Sequence, residues 1–254
     1  MKMKLSSGIA VIGIFVAFIS ASCGRPANEV NPALDAEMPR KILWAWERAE
    51  DLSFIDQNEY GAAFLAQTIF LENDRVIPKP RRQPFSAPDG TYLIAVTRVE
   101  TNKEQPKRPT FDDEMLSRLA GLIAKTAEMP NIRGVQVDFD ATVSERDFYR
   151  KLINAVRERT PEGVALSITA LASWCAGDSW FNDFPIDEAV PMVFVMGRDQ
   201  ESILSFLRRG DDWREPLCRG SYGISVDEPA VEGLQPNRRM YYFKNSAWAA
   251  ADLK

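Results

Sequence analysis

Three polar residues alternate with apolar ones in the segment "VQVDFDA", which places Gln136, Asp138 and Asp140 on one face of a predicted strand. Two neighbouring carboxyl groups raise each other's pKa, so that one can hold a proton while the other carries charge. This combination is typical of general acid–base chemistry. The alternative is structural, with both aspartates binding loop amides or arginine side chains.

The chain of 254 residues contains no histidine. This excludes Ser-His-Asp and Cys-His catalysis, the usual zinc sites and a histidine general base. Any catalysis must therefore rest on carboxylates, tyrosine, lysine, arginine or serine. The sequence has no glycine-rich nucleotide-binding motif, and we expect neither a cofactor nor a bound metal ion.

Eight apolar segments that favour β-strands recur along the chain. They are "KILWAW" at 41, "AAFLAQTIFL" at 62, "TYLIAVTRVE" at 91, "IRGVQVDFDA" at 132, "VALSITALASW" at 164, "AVPMVFVMG" at 189, "SYGISVD" at 221 and "RRMYYFKNSAW" at 238. Amphipathic patterns separate several of them, most clearly "DDEMLSRLAGLIAKTAEM", "SERDFYRKLINAVRERT" and "DQESILSFLRRG". This alternation predicts a compact α/β fold, a (β/α)8 TIM-like barrel, with an open doubly wound sheet as the alternative. The proline-rich connection after the second strand predicts that a loop replaces one helix.

In a parallel barrel, side chains point alternately into the lumen and toward the outer helices. Gln136, Asp138 and Asp140 would then climb the lumen toward the C-terminal mouth, where barrel active sites lie. We expect Asp140 to act as general acid, Asp138 as its electrostatic partner, and Gln136 to orient Asp138 by a hydrogen bond. Ser144 and Asp147 have the spacing of a helix-capping pair just beyond this strand.

Further candidates for ligand binding lie near the ends of the other predicted strands. They are Trp44, Trp46, Glu47, Gln67, Arg98, Glu100, Trp174, Met196, Asp227 and Trp248. Aromatic rings in such places suit the apolar faces of sugar rings. Core packing is the more common role for any one tryptophan, and it is their recurrence at strand ends that favours a binding cleft. Thr169 is predicted to hydrogen-bond Asp138 or Asp140, or else to be a satisfied core hydroxyl, and Met192 and Met196 to form an apolar wall.

The first residues resemble an export signal. Lys2 and Lys4 precede the apolar run "GIAVIGIFVAFIS", and Cys23 follows small residues, as in a bacterial lipoprotein whose cysteine is lipidated. Ordinary cleavage after Ser22 is the alternative. We expect an export signal over 1–22, a flexible tether over 23–40 and one barrel domain over 41–254, anchored to a membrane in the cell envelope.

Two cysteines remain beyond Cys23. An exported protein sits where disulfides persist, so Cys175 and Cys218 are predicted to pair, with two buried free thiols as the alternative. The formal net charge of −5 becomes more negative when the two signal lysines are removed, which disfavours nucleic acid as a partner. We expect a monomer.

The segment "RGVQVDFD" resembles the fourth-strand signature D-G-x-D-x-D-x-E of chitinase-like family 18 glycoside hydrolases. Gly134, Asp138 and Asp140 match its glycine, central aspartate and terminal acid, while Arg133 and Gln136 replace two aspartates. Asp140 is also one methylene shorter than the usual glutamate. The tyrosine and aspartate that often follow the sixth-strand methionine in that family are absent.

A broader resemblance extends over most of the mature chain. The segments "ILWAWER", "VQVDFDAT", "LSITALASW" and "VPMVFVMG" are similar to the uncharacterised bacterial lipoproteins grouped as domain of unknown function 3142. The two resemblances imply a barrel at the cell envelope that acts as a glycoside hydrolase on a polysaccharide or envelope glycan. The alternative is a carbohydrate-binding lipoprotein of the same fold without catalysis.

Overall fold

The structure is a computed structural model that describes residues 36–253. Its strands, in chain order, are β1 (Lys41–Ala45), β2 (Glu50–Asp51), β3 (Tyr60–Glu72), β4 (Arg75–Pro80), β5 (Phe85–Ser86), β6 (Leu93–Thr101), β7 (Ile132–Asp138), β8 (Ala165–Leu171), β9 (Glu188–Met192), β10 (Ser221–Ser225) and β11 (Arg239–Phe243). All except β2, β4 and β5 form a parallel wall in chain order, and β1 closes it by pairing with both β11 and β3. The prediction of a closed barrel is therefore confirmed, and the open sheet is excluded.

The two faces of β7 have different environments although both are buried. Val135 and Val137 pack outward into the large apolar cluster that the barrel shares with the surrounding helices. Gln136 and Asp138 point inward and are almost completely buried. The alternation of the sequence thus places the polar face of this strand in the lumen, as predicted.

Three α-helices cover the barrel within the described residues: α1 (Asp113–Ala124) after β6, α2 (Arg146–Arg159) after β7 and α3 (Gln200–Arg208) after β9. The sequence predicts the loss of a single helix, but more connections than one lack an α-helix. The connection after β8 forms only a π-helical turn, Trp174–Asp178, and the one after β10 has no helix. Pro229 and Pro236 interrupt that last connection, which explains why it does not form a helix.

The proline-rich segment after β3 forms an antiparallel strand instead of the predicted loop. β3 extends past the barrel wall, the chain turns at Asn73 with φ of 52°, and β4 pairs back along it. Pro78 and Pro80 are tolerated because β4 is an edge strand that pairs with β3 alone. A segment that cannot form a helix therefore still extends the sheet.

The chain after β7 is capped differently from the prediction. Thr142 and Glu145 form the reciprocal capping box, in place of Ser144 and Asp147. The Glu145 carboxylate is buried and accepts hydrogen bonds from Thr142, Thr101 and Lys103. Glu145 rather than Asp147 completes the cap because its side chain faces the end of β6, where Thr101 and Lys103 lie. Its hydrogen bonds hold the loop that follows Asp140 in place.

The floor of the barrel is closed by a buried ion pair. Arg239 donates to Glu188 at 2.6 Å and Tyr241 donates to the other oxygen of Glu188 at 2.7 Å. Met38 is also buried there, and Arg239 donates to the carbonyl of Pro39. Residues 38–40, predicted as the end of a tether, are therefore packed against the barrel floor. The rest of that tether up to residue 35, the export signal and Cys23 lie outside the described residues.

Cys175 and Cys218 form the predicted disulfide, with their Cα atoms 5.9 Å apart. The bond joins the turn after β8 to the short 3₁₀ helix before β10. Disulfides of this kind are typical of oxidising compartments. Between residues 36 and 253, no helix has the length and apolar character that a membrane crossing requires.

Candidate functional site

A pocket of about 310 Å³ opens at the C-terminal mouth of the barrel. Its lining comes from almost every part of the barrel rim: Trp46, Arg98, Asp138, Asp140, Thr169, Leu171, Ala172, Ser173, Met192, Phe194, Val195, Met196, Asp199, Ser225, Phe243 and Asn245. Active sites of barrel enzymes are built at this face because the strand ends and their following loops converge there.

Asp138 is fixed in the pocket wall. Its carboxylate accepts a hydrogen bond from Thr169 at 2.7 Å and one from Arg98 at 3.3 Å. Burial raises the pKa of Asp138, the Arg98 charge opposes this, and the nearby Asp140 adds to the increase. Asp138 is therefore a buried carboxyl group, fixed by two hydrogen bonds, whose ionisation is disfavoured by burial. Its hydrogen bond from Thr169 agrees with the sequence prediction.

Asp140 lies at the rim of the same pocket and is reached by solvent. Among residues 36–253, no side chain or amide donates a hydrogen bond to its carboxylate. Partial enclosure by the protein raises its pKa, while the charges of Arg98 and Lys103 act in the opposite direction. The two aspartates therefore differ: Asp138 is held in place and Asp140 is free to meet a ligand.

Arg98 connects the acidic groups of the mouth. Its Nε donates to Glu100 at 3.0 Å, its terminal nitrogen donates to Asp138, and its guanidinium lies 5.9 Å from the centre of the Trp46 ring. Arg98 and Asp138 are direct neighbours in the register of β6 and β7. The arginine balances one carboxylate of the pocket, whereas Asp140 has no direct ionic partner among the residues that the structure describes.

Aromatic and aliphatic side chains form the wall across the barrel from Asp138. Phe243 ends β11, which lies opposite β7 in the eight-strand order, and its ring is 4.6 Å from that of Phe194. The Trp46 ring is 6.5 Å from Phe243, and Met192 and Met196 complete this apolar wall of the pocket. The pocket thus combines a carboxylate side with an apolar side.

Gln136 does not hydrogen-bond to Asp138, which corrects the role predicted for it. Its carbonyl accepts from the Trp44 indole at 3.0 Å, and its amide donates to Ser167 at 3.2 Å. Gln136 is completely buried, one layer below the pocket. Its side chain pairs with groups at its own level in the lumen, because the Asp138 level is already occupied by Thr169 and Arg98.

Several other predicted residues lie outside the pocket. Glu100 accepts a hydrogen bond from Arg98, which itself lines the pocket. Glu47 accepts a hydrogen bond from the backbone amide of Arg82, and Asp227 accepts one from the backbone amide of Asn245. These carboxylates organise the rim loops. The structure brings together Trp46, Met196 and Thr169 with the two aspartates, as the sequence predicts.

Two tryptophans and a glutamine face away from the lumen. Trp174 packs in the outer cluster against Trp180, and Trp248 packs outside the barrel with its indole donating to the carbonyl of Trp44. Gln67 donates to Thr97 and to a carbonyl of α1 because a bulge between Leu65 and Gln67 reverses the face of β3. These three are packing residues, as the alternative interpretation held for the tryptophans.

The loop after β9 supplies pocket residues that the sequence analysis missed. Phe194, Val195 and Asp199 line the pocket, and Val195 is 80 % exposed with φ of 48°. This conformation is strained for a β-branched residue, and a hydrogen bond from its amide to Glu228 holds it. The segment "MVFVMG" carries an apolar signal but no pattern that reveals this turn.

The described residues contain no convergent group of three or more acidic or cysteine side chains that would hold a metal ion. The fold and the pocket define a TIM-like barrel protein with a mixed acidic and aromatic site at its mouth. The chain belongs to the family described as a domain of unknown function (DUF3142), whose profile matches residues 89–219. That range includes Arg98, Asp138, Asp140 and both disulfide cysteines. Neither the curated proteins nor the solved structures contain a match.

Proposed function

We propose that this protein is a glycoside hydrolase-like enzyme that acts on a polysaccharide or cell-envelope glycan. Asp140 is its general acid and Asp138 its electrostatic partner. The observation that carries the proposal is that two carboxylates of raised pKa line one pocket, one anchored and one free, opposite an aromatic wall. A pair of acidic groups in unequal environments is the usual requirement for glycosidic bond cleavage.

The contacts of each carboxylate support this division of roles. Protonated Asp140 would donate its proton to the glycosidic oxygen as the bond to the anomeric carbon breaks. A water molecule would then attack that carbon and return a proton to the Asp140 carboxylate. Asp138, held by Thr169 and Arg98, would place negative charge near the positive charge that develops on the sugar ring. The match of Gly134, Asp138 and Asp140 to the chitinase-like signature favours the same assignment.

The aromatic side of the pocket supports a sugar ligand. Trp46, Phe194 and Phe243 present ring surfaces to the pocket beside two methionines. The C–H faces of hexose rings pack well on such surfaces, while carboxylates accept hydrogen bonds from sugar hydroxyls. One pocket therefore offers both kinds of contact that a carbohydrate needs.

The second candidate function is carbohydrate binding without turnover. The contact that favours it is the bond from Arg98 to Asp138, which already gives this carboxylate an ionic partner. Asp140 is also one methylene shorter than the acid of the related signature. In this alternative the aspartates bind sugar hydroxyls and no bond is cleaved.

Turnover separates the two candidates. The purified mature protein is incubated with chitin oligosaccharides, peptidoglycan fragments and common bacterial polysaccharides, and products are detected by mass spectrometry. The enzyme proposal expects shortened products from at least one glycan. Binding to a glycan in calorimetry with no product from any of them supports the non-catalytic alternative and contradicts the enzyme proposal.

We also propose that the protein works at the bacterial cell envelope, anchored to the membrane through lipidated Cys23, as a monomer whose ligand is carbohydrate and not nucleic acid. The order of charged start, apolar run and small residues before Cys23 supports export and lipidation. The Cys175–Cys218 disulfide supports an oxidising compartment. Several acyl chains, unlike one, are enough for stable anchoring.

A further inference from the structure

A second cavity of about 170 Å³ adjoins the aromatic pocket at the barrel mouth. It is bordered by the end of β6 and the loop after β7, and its own residues include Glu100, Thr101 and Lys103. We call it the polar groove. Arg98, Asp138 and Asp140 line both the aromatic pocket and the polar groove. The proposed acid therefore stands at the junction of two cavities, and not at the end of one.

Most residues that line the polar groove carry hydrogen-bonding side chains, and Val99 and Phe139 are the apolar members of its lining. Lys103 donates to both oxygens of Glu145, at 2.8 and 2.6 Å, and its side chain is still half exposed. Its ammonium group has three N–H bonds, so one remains for a ligand. Glu100 is 41 % exposed and uses one oxygen to accept from Arg98. Both residues can therefore contact a polar ligand without losing their present partners.

The charges of the groove favour a neutral ligand. The positive charge of Lys103 is balanced by buried Glu145, and that of Arg98 is balanced by Asp138 and Glu100. Two carboxylates, Asp138 and Glu100, share the single charge of Arg98, so an acidic group in the groove would meet excess negative charge even when Asp140 holds its proton. Hydroxyl groups, which both donate and accept, match such a lining.

We infer that the ligand is a linear, neutral oligosaccharide that lies across Asp140, with one sugar unit in the aromatic pocket and the next in the polar groove. This rests on the proposed function and adds its substrate class: chains of at least two units. In cleavage, the linkage between these two units would be the one that receives the proton from Asp140. Thr101 and Lys103 are thus assigned to a second sugar site.

The test uses the Asp140→Asn protein, so that turnover does not change the ligand during the measurement. The probes are N-acetylglucosamine and glucose, each compared with its tetramer. Calorimetry measures affinity, and acetylation of lysines, followed by mass spectrometry, reports contact in the groove. We expect the affinity for each tetramer to be about ten times that for its monomer, or higher. The tetramer should also protect Lys103 from acetylation, and the monomer should not.

Lys107 is the matched control. It lies four residues further along, is 58 % exposed and pairs with Glu72 outside both cavities. Its acetylation should not change with either probe. The Lys103→Met variant should bring the affinity for the tetramer close to that for the monomer, whereas Lys107→Met should leave both affinities unchanged.

The outcomes separate this inference from the proposed function. Equal affinity for monomer and tetramer, or binding of the tetramer without protection of Lys103, would overturn the inference and leave a one-unit sugar site. Absence of binding by every probe would contradict the inference and the proposed sugar site together. Tetramer-dependent protection with no cleavage by the wild-type protein would support the two-part cleft and contradict only the catalytic role.

Discussion

Asp138 and Asp140 have the same side chain, two residues apart, but different surroundings. Asp138 is buried and accepts from Thr169 and Arg98, whereas Asp140 is exposed at the rim without a donor among the described residues. Burial raises the pKa of Asp138, and partial enclosure by the surrounding protein raises that of Asp140. The chemistry proposed for the site depends on this difference in contacts, because the free group can deliver a proton while the held group keeps its position.

The raised pKa of Asp138 predicts a specific dependence of stability on pH. In the unfolded chain the group titrates near 3.8, and in the folded protein its pKa is higher. Ionisation therefore costs the folded state stability as pH rises from below 3.8 through the raised pKa. Asp138→Asn carries no charge and avoids this loss, so its free energy of unfolding minus that of the wild type should increase with pH.

Urea denaturation of both proteins at several pH values between about 3.5 and 7 measures this difference. Asp74→Asn, at an exposed turn, serves as the control and should show no comparable trend. A difference for Asp138→Asn that decreases as pH rises would mean that Arg98 outweighs burial, and would contradict the account of this residue.

Gln136→Leu should destabilise the protein without acting on the aspartates directly. The change leaves the Trp44 indole and the Ser167 hydroxyl without their partner in the buried lumen. Each such loss costs about 1–3 kcal/mol, so the free energy of unfolding should fall by roughly 3 kcal/mol. The exposed Gln57 gives a control, since Gln57→Leu should change stability by less than about 0.5 kcal/mol. Chemical denaturation measures both, and equal stabilities would show that the lumen network contributes little.

At the level of elements, the disulfide joins two connections that contain little regular structure. Cys175 and Cys218 are separated by 43 residues, and both are completely buried. Replacing both by alanine should lower the free energy of unfolding by about 3–4 kcal/mol in the chain-entropy model. The measurement is guanidinium denaturation under non-reducing conditions, with the reduced wild type as a second reference. A double variant as stable as the oxidised wild type would contradict this stabilising role.

The strands of the barrel could be predicted from sequence because both faces of a parallel barrel strand are dry, which produces dense apolar segments. The face of β7 followed from simple alternation. The strand face predicted for Gln67 was wrong because the bulge in β3 shifts the alternation by one residue. A bulge leaves no clear sequence signal. The hydrogen-bond partner predicted for Gln136 was also wrong, since the position of Trp44 in the lumen depends on the whole barrel.

The loops were predicted least well. Proline correctly indicated that the segment after β3 is not a helix, but an edge strand and a loop have the same local signal. Phe194 and Phe243 line one pocket from different elements. Only closure of the barrel brings the centres of their rings to 4.6 Å from each other. Thus the carboxylate side of the site was visible in one segment, whereas the aromatic side depends on distant segments.

At the level of the whole molecule, the two ends of the barrel have different tasks. The floor is sealed by Met38 and the Glu188–Arg239 pair, and the mouth carries both cavities. The chain enters the described part of the structure at the floor. A membrane anchor upstream of residue 36 would therefore join the described part of the chain at the end opposite the proposed site.

Replacing Cys23 by serine tests the proposed location. The wild type should fractionate with membranes, and Cys23→Ser should move to the soluble extract, because lipid chains attached at Cys23 are the proposed anchor. Cys175→Ala with Cys218→Ala, which keeps Cys23, is the control and should stay with the membranes. If wild type and Cys23→Ser partition alike, the lipid-anchor proposal is contradicted.

The most direct test of the central claim is turnover by Asp140→Asn on a glycan that the wild type cleaves. The variant keeps the shape of the rim but cannot donate the proton, so kcat should fall by about a hundredfold or more. Its sugar affinity and unfolding midpoint should remain close to those of the wild type, and Asp74→Asn should retain full activity. Cleavage by Asp140→Asn at the wild-type rate would contradict the assignment of Asp140 as the general acid.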